Sequence, residues 1–266
     1  MIKSAQTKTH PRATNKRNED FALADVTMVE KKLTGKINRE RIRMMETPRA
    51  PEGIIEGFQA LGDASGIVSD VMDELGIAGV IGASVLKPTI AGSCIVGPAL
   101  TVRNIVQREH VYESARRHVN KMAEFEAHNL ARRGDVVIID GVAAVSNMGG
   151  ISAQTGKRQG EAGAIIFGGI RDIGHSRRLG YPIWASEITP ATGKWRIETI
   201  EINGEIEISG VRVATGDIVF ADDTGVCFIP RARAAEVLEH AKQKFTAEDA
   251  KCKAIDAGIP VPDLPA

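Results

Sequence analysis

Cysteine is scarce: Cys94, Cys227 and Cys252 are odd in number and far apart in a chain of 266 residues. No two of them form a CxxC pair, so neither a disulfide framework nor a thiolate zinc site is expected, and a reducing, cytoplasmic setting fits. Net charge is absent as well. The 34 Lys+Arg balance 34 Asp+Glu, so no field over the whole surface gathers nucleic acid or membrane. No apolar run approaches the roughly 20 residues that span a bilayer. The opening MIKSAQTKTHPRATNKRNED is basic and polar with no apolar core, unlike a secretory signal. It also carries no interleaved aromatics on which bases could stack, so nucleic acid is not an expected partner.

What is present is ordinary for a globular protein with a real core: 43% hydrophobic and 26% charged residues. Residues 1–50 read as an N-terminal arm, too polar at first to bury, with a charged helix expected across VEKKLTGKINRERIRMME. Residues 51–235 read as one core domain, and 236–266 as a C-terminal helix and tail. SGIVSDVMDELG places Val68, Val71, Met72 and Leu75 on one helical face, with Gly76 as the stop. Residues 111–133 read as a single charged helix. Asn203–Gly204, flanked by strict alternation, predicts a type I′ hairpin. GDIVFADDTGVCFIP adds two short strands, with Asp222 and Asp223 in the turn between them.

The stretch DVVIID, then GGISAQTGKRQG, then AGAIIFGG reads as strand, glycine loop opening a helix, and second strand. Both strands are apolar throughout, the pattern of a buried parallel βαβ unit. Ligands in such units sit beyond the carboxyl ends of the strands, beside helix N-termini. The loop Asn147-Met148-Gly149-Gly150 offers free N–H groups near Ile151 and Ser152 for an anion. The second strand delivers Arg171 and Asp172 to the same edge. Arg171 presents a planar fork to a carboxylate, and Asp172 an oxygen ligand to a hard divalent cation. The alternative is an Arg–Asp surface pair, with the glycines serving turn geometry.

Seven segments in order carry a family resemblance: SDVMDELGI, IVGPALTV, GDVVIIDG, MGGISA, GAIIFGGIRD, YPIWA and GVRVATGDIVFADDTGVCFIP. Between about residues 60 and 235 the chain resembles the RraA-like family, which holds regulators of ribonuclease E activity and metal-dependent 4-hydroxy-4-methyl-2-oxoglutarate aldolases. The resemblance implies an α/β fold, a swivelling β/β/α layered sandwich, assembled as homotrimers or dimers of trimers. It implies a substrate-carboxylate loop at Gly149, Gly150, Ile151 and Ser152, a substrate-binding Arg171, and Asp172 holding Mg2+ or Mn2+ largely through water. The implied reaction is carbon–carbon cleavage of a 2-oxo acid: retro-aldol release of pyruvate, decarboxylation of oxaloacetate, or both. A non-catalytic protein that masks a ribonuclease is the alternative.

One departure from the family concerns the residues after the Arg-Asp pair. Acidic groups are typical there, whereas this chain has Ile173-Gly174-His175-Ser176. His175 is a candidate metal ligand or base near neutral pH, or else an exposed histidine at a helix start. Asp140 is a candidate supporting residue, or a cap for the next turn. His110, His118 and His128 lack i,i+4 spacing and read as solvated. Lys157 and Lys194 sit in polar stretches unsuited to a Schiff base. No Ser–His–Asp set emerges from the sequence.

Overall fold

The computed structural model describes residues 31–265, so the first 30 residues of the expected arm lie outside it. Residues 33–50 do not stand apart as an arm; they belong to the same compact unit as the rest of the described chain. The charged helix expected there does not form within the described part. A single 3-10 turn at Arg39–Arg41 interrupts an otherwise extended and bent path. Gly35, at φ 75°, breaks the segment, and Ile42 instead bridges Ile202 while Ile37 and Ile42 enter the core. Arg49 then ion-pairs with the buried Asp135.

Helices α1 (Ile54–Gln59) and α2 (Ser65–Glu74) come next. Val68, Val71 and Met72 are the buried face of α2, and Gly76 ends it in the left-handed region. Short strands β1 (Val80–Gly82) and β2 (Lys87–Pro88) precede the long β3 (Ile95–Val106). The expected helix over 111–133 is two short ones, α3 (Val111–Arg116) and α4 (Glu124–Leu130). Tertiary contacts override the local pattern between them. The Lys121 carbonyl accepts from Thr199 N–H at 3.1 Å, and Ala123 N–H donates to Thr199 Oγ1 at 2.9 Å.

The βαβ units follow: β4 (Val136–Asp140), β5 (Ser146–Met148), α5 (Gly150–Gln159), β6 (Gly163–Ile170), α6 (Ile173–Leu179) and β7 (Ile183–Ile188). Strands β3, β4, β6 and β7 are parallel neighbours in that order. After them come β8 (Ile197–Ile202), β9 (Ile206–Ile208), β10 (Val211–Val213), β11 (Ile218–Ala221), β12 (Gly225–Ile229) and the long α7 (Ala234–Asp256).

The hairpin expected at Asn203–Gly204 lies one turn later. Strands β9 and β10 pair around Ser209–Gly210, both at positive φ, while β8 pairs with β3. The reason is long-range: Asn203 N–H donates to the Thr101 carbonyl at 2.8 Å, and its side chain donates to the Met44 carbonyl. The turn of β11 into β12 falls at Asp222–Thr224, as expected.

The sheet runs β1-β12-β11-β3-β4-β6-β7-β2, with β5 added to β6 and β8 to β3. The two faces of β4 show how the layers form. Val137 and Ile139 join the core beneath α4, α5 and α6, while Val136 and Ile138 join the core shared with β9 to β12. Helices α1, α2 and α7 pack outside that second layer, against residues of β3, β11 and β12. The fold is therefore a mixed α/β layered sandwich. No helix among the described residues is long and apolar enough to cross a membrane.

Candidate active site

Strands β5 and β6 are parallel, with Met148 opposite Ile170, so the chain leaves both at the same sheet edge. Past β5 it turns through Gly149 into α5; past β6 it turns through Arg171 and Asp172 into α6. Arg171 N–H donates to the Met148 carbonyl at 3.1 Å, tying the two loops together. The two loops lie close together at these glycines. A Cβ on Gly149 would lie 3.1 Å from both Arg171 Nε and Asp172 Oδ2, and one on Gly150 would lie 3.1 Å from the His175 ring.

Asp172 adopts left-handed backbone, φ 57° and ψ 34°, as the N-cap of α6. That conformation is uncommon for a non-glycine residue but tolerated by Asp. Its carboxylate turns back across the edge, where Oδ2 accepts from Gly150 N–H at 3.0 Å and lies 3.5 Å from Arg171 Nε. Helix α5 thus receives its cap from the start of another helix. The sequence-predicted cluster is assembled, with one difference: Gly150 N–H, expected to face an anion, is already committed to Asp172. The N–H groups of Ile151 and Ser152 remain in the first turn, where a helix offers them no acceptor. The Arg171 and Asp172 side chains are 34% and 51% exposed, so the edge is open to a ligand.

Behind the edge lies a polar network that the sequence did not announce. His128, expected to be solvated, is fully buried. Its Nε2 meets Ser152 Oγ at 3.0 Å and its Nδ1 meets Glu161 Oε1 at 2.9 Å. Tyr181 donates to Glu161 Oε2 at 2.6 Å, and burial, followed by Glu161, pushes its phenol well above the usual range. A Ser–His–acid set therefore exists after all. Ser152 is only 3% exposed, so the set braces α5 rather than presenting a nucleophile.

A second residue missed in the sequence is Glu124, at the first turn of α4. It is 9% exposed, and its Oε2 is buried with no hydrogen-bond partner. Burial drives its carboxyl above the ordinary value, against the opposing pull of a hydrogen bond from its own backbone N–H and of His128, Lys194 and Lys36. Glu124 lines a cavity of about 30 Å3 together with Gly149, Arg171, Thr192 and Lys194. The pattern that hid it is plain: one Glu in a stretch read as a single charged helix passes for solvated, although Ala123 and Phe125 flank it.

The sequence model of the RraA-like family (Aldolase/RraA) matches residues 65–228. The chain belongs to the RraA-like family. A Halalkalibacterium halodurans protein, provisionally named a 4-hydroxy-4-methyl-2-oxoglutarate aldolase, is 30% identical over 199 residues, covering 72% of this chain and 84% of its own. Protein DlpA of Legionella pneumophila is 30% identical over 175 residues, or 64% of this chain; the match spans only 27% of DlpA. A Pseudomonas syringae pv. tomato structure superimposes with a TM-score of 0.68 at 22% identity, covering 80% of this chain and 96% of its own. Streptomyces coelicolor RraAS2, described as an unusual member of the RNase ES inhibitor RraA protein family, gives 0.64 at 25%, covering 76% and 96%. Names within the family thus point both to aldolases and to a ribonuclease inhibitor.

Two further candidates in this RraA-like chain fall on either side of the cluster. His175 lies beside it: its ring packs near Gly150, and its Nε2 is 3.1 Å from Gln154 Oε1 on α5. Asp140 does not join it. Strand alternation puts Asp140 on the face of Val136 and Ile138, away from α5 and α6. Its ion partner is Arg103 at 3.8 Å, and burial, opposed by Arg103, raises its carboxyl.

Proposed function

We propose that the Arg171–Asp172 edge cleaves a carbon–carbon bond in a 2-oxo acid, releasing pyruvate from a 4-hydroxy-2-oxo acid, decarboxylating oxaloacetate, or both. The observation that carries this reading is the cluster itself. An arginine, a half-exposed carboxylate and a helix N-terminus meet through Gly150 N–H and Arg171 Nε at one oxygen of Asp172. Capping of α5 by Asp172 serves stability, but the exposed Arg171–Asp172 ion pair contributes only about 0–1 kcal/mol, so stability accounts for only part of the cluster.

The donor set fits a hydrated divalent cation, magnesium or manganese. Among the described residues no group of three His, Cys, Asp or Glu forms a metal cage. Asp172 alone offers a hard, half-exposed oxygen, which suits an ion that keeps several waters. When bound, such an ion would draw negative charge from the substrate's 2-oxo oxygen. The chain's own groups do the rest. Arg171 holds its guanidinium fork toward the substrate, where charge develops as the bond breaks. The Ile151 and Ser152 N–H groups orient a carboxylate, aided by the positive end of α5. The Gly150 contact fixes the direction of the Asp172 carboxylate.

The regulatory reading, binding and masking a ribonuclease, draws its support from the description of the Streptomyces neighbour. A masking surface has no use for the cluster, which favours the enzyme. Two variants separate the readings. Asp172→Ala should abolish pyruvate release from 4-hydroxy-4-methyl-2-oxoglutarate and oxaloacetate even in excess magnesium. Arg171→Lys should lose about 10²–10³ in turnover, because an ammonium cannot replace a planar fork. Both should stay folded. Parent-level activity in both variants would reduce the pair to a surface ion pair and leave the regulatory reading standing.

A further inference from the structure

The cleavage proposed above leaves one role unfilled. A retro-aldol step needs a group that takes the proton of the substrate's C4 hydroxyl, and the residues after the Arg-Asp pair, Ile173-Gly174-His175-Ser176, supply no carboxyl for it. A carboxyl placed for that work reaches the cluster from another direction. Glu124, on α4, faces the same small cavity as Arg171 and Gly149. Its Oε2 is buried and makes no hydrogen bond, one of four such side-chain atoms among the described residues. Leaving a carboxyl oxygen unpaired weakens a fold, a penalty that packing alone does not require. Neighbouring Glu126, on the same helix, shows the ordinary alternative: buried completely, it accepts from the Thr34 N–H at 2.8 Å and from Asn129 Nδ2 at 2.9 Å.

The cavity's volume, about 30 Å3, admits roughly two or three waters, given that about 10–15 Å3 holds one. Proton transfer through one intervening water is an accepted geometry for general acid–base catalysis.

We infer that Glu124 is the proton-transfer residue of this site, exchanging a proton with the substrate held at Arg171 through water in the cavity they share. The inference rests on the 2-oxo acid reading above. The Glu124 carboxylate takes the C4 hydroxyl proton as the C3–C4 bond breaks. C4 becomes the carbonyl of the departing fragment, and the bonding pair passes to the pyruvyl half as an enolate. The protonated Glu124 then returns the proton to C3, giving pyruvate. No other reactant is needed. Burial raises the carboxyl above its ordinary value, which favours its holding the proton between the two transfers.

The test uses pyruvate itself, so it does not depend on the unknown distal half of the substrate. With magnesium in deuterated water, the parent should exchange the methyl protons of pyruvate, followed by proton NMR. Glu124→Gln, close to isosteric, should slow that exchange by about 10²-fold or more. Oxalate should still raise its melting temperature as in the parent, because binding falls to Arg171 and the helix terminus. Glu124→Asp, which keeps the carboxyl but withdraws it by one methylene, should recover part of the exchange. Exchange at the parent rate in Glu124→Gln, or an Asp variant as inert as the Gln variant, overturns the assignment. Oxaloacetate cleavage by the parent reads the underlying proposal separately. A parent that cleaves it while exchange ignores Glu124→Gln defeats only the role of Glu124; a parent that neither cleaves nor exchanges defeats both.

Discussion

Two carboxylates of this site differ because their surroundings differ. Asp172 is half exposed, beside a guanidinium and a backbone N–H, and remains accessible. Glu124 is buried with one oxygen unpaired, and its folded-state pKa is raised by desolvation. A raised carboxyl pKa means that the folded chain binds the proton more tightly than the unfolded one. Its contribution is therefore favourable below the ordinary Glu value of about 4.3 and is lost as pH rises through the raised folded value. Glu124→Gln removes that titration. The variant should gain stability relative to the parent as pH increases from about 4 toward neutrality, measured by urea unfolding across that window. A difference that stays constant with pH would show that Glu124 is not desolvated as the structure places it. Together with the exchange experiment, this outcome would make Glu124 a residue kept for chemistry at some expense to the fold.

At the scale of elements, α5 is the part on which the site depends. Its N-terminus meets Asp172, while Ser152 anchors its first turn to His128 and Glu161. His128→Ala would leave Glu161 with Tyr181 alone and Ser152 Oγ without its partner. It should destabilise the protein by about 3 kcal/mol, the order seen when one member of a buried polar pair is removed; chemical denaturation measures it. A loss within about 0.5 kcal/mol, typical of a surface substitution, would contradict the bracing role. Nothing in the sequence distinguished His128 from His110 or His118, because its partners Ser152 and Glu161 are 24 and 33 residues away. The same cause displaced the hairpin. Asn203–Gly204 has the right local chemistry, but the pairing of β8 with β3 claims Ile202 opposite Val102. By contrast β4, β6, α2 and α7 were legible, since an unbroken apolar run or a stripe closed by glycine is a local signal that tertiary contacts reinforce.

Across the whole molecule, the βαβ pattern of DVVIID and GAIIFGG was enough to place Gly149, Gly150, Arg171 and Asp172 at one sheet edge, and the fold brings them there. Parity along β4 decided what the sequence left open for Asp140, turning it toward Arg103. Glu124 required the folded chain, because α4 reaches the cavity only through the crossover from β3 and the docking of residues 121–123 on Thr199. If this edge is the site of a metal-assisted 2-oxo acid lyase, its activity must follow the metal. Pyruvate release from 4-hydroxy-4-methyl-2-oxoglutarate and oxaloacetate is followed before chelation, after it, and after magnesium or manganese is restored. Activity should disappear with the chelator, return with either ion, and yield no borohydride-trapped adduct on lysine. Activity indifferent to chelation, or a lysine adduct, would contradict it.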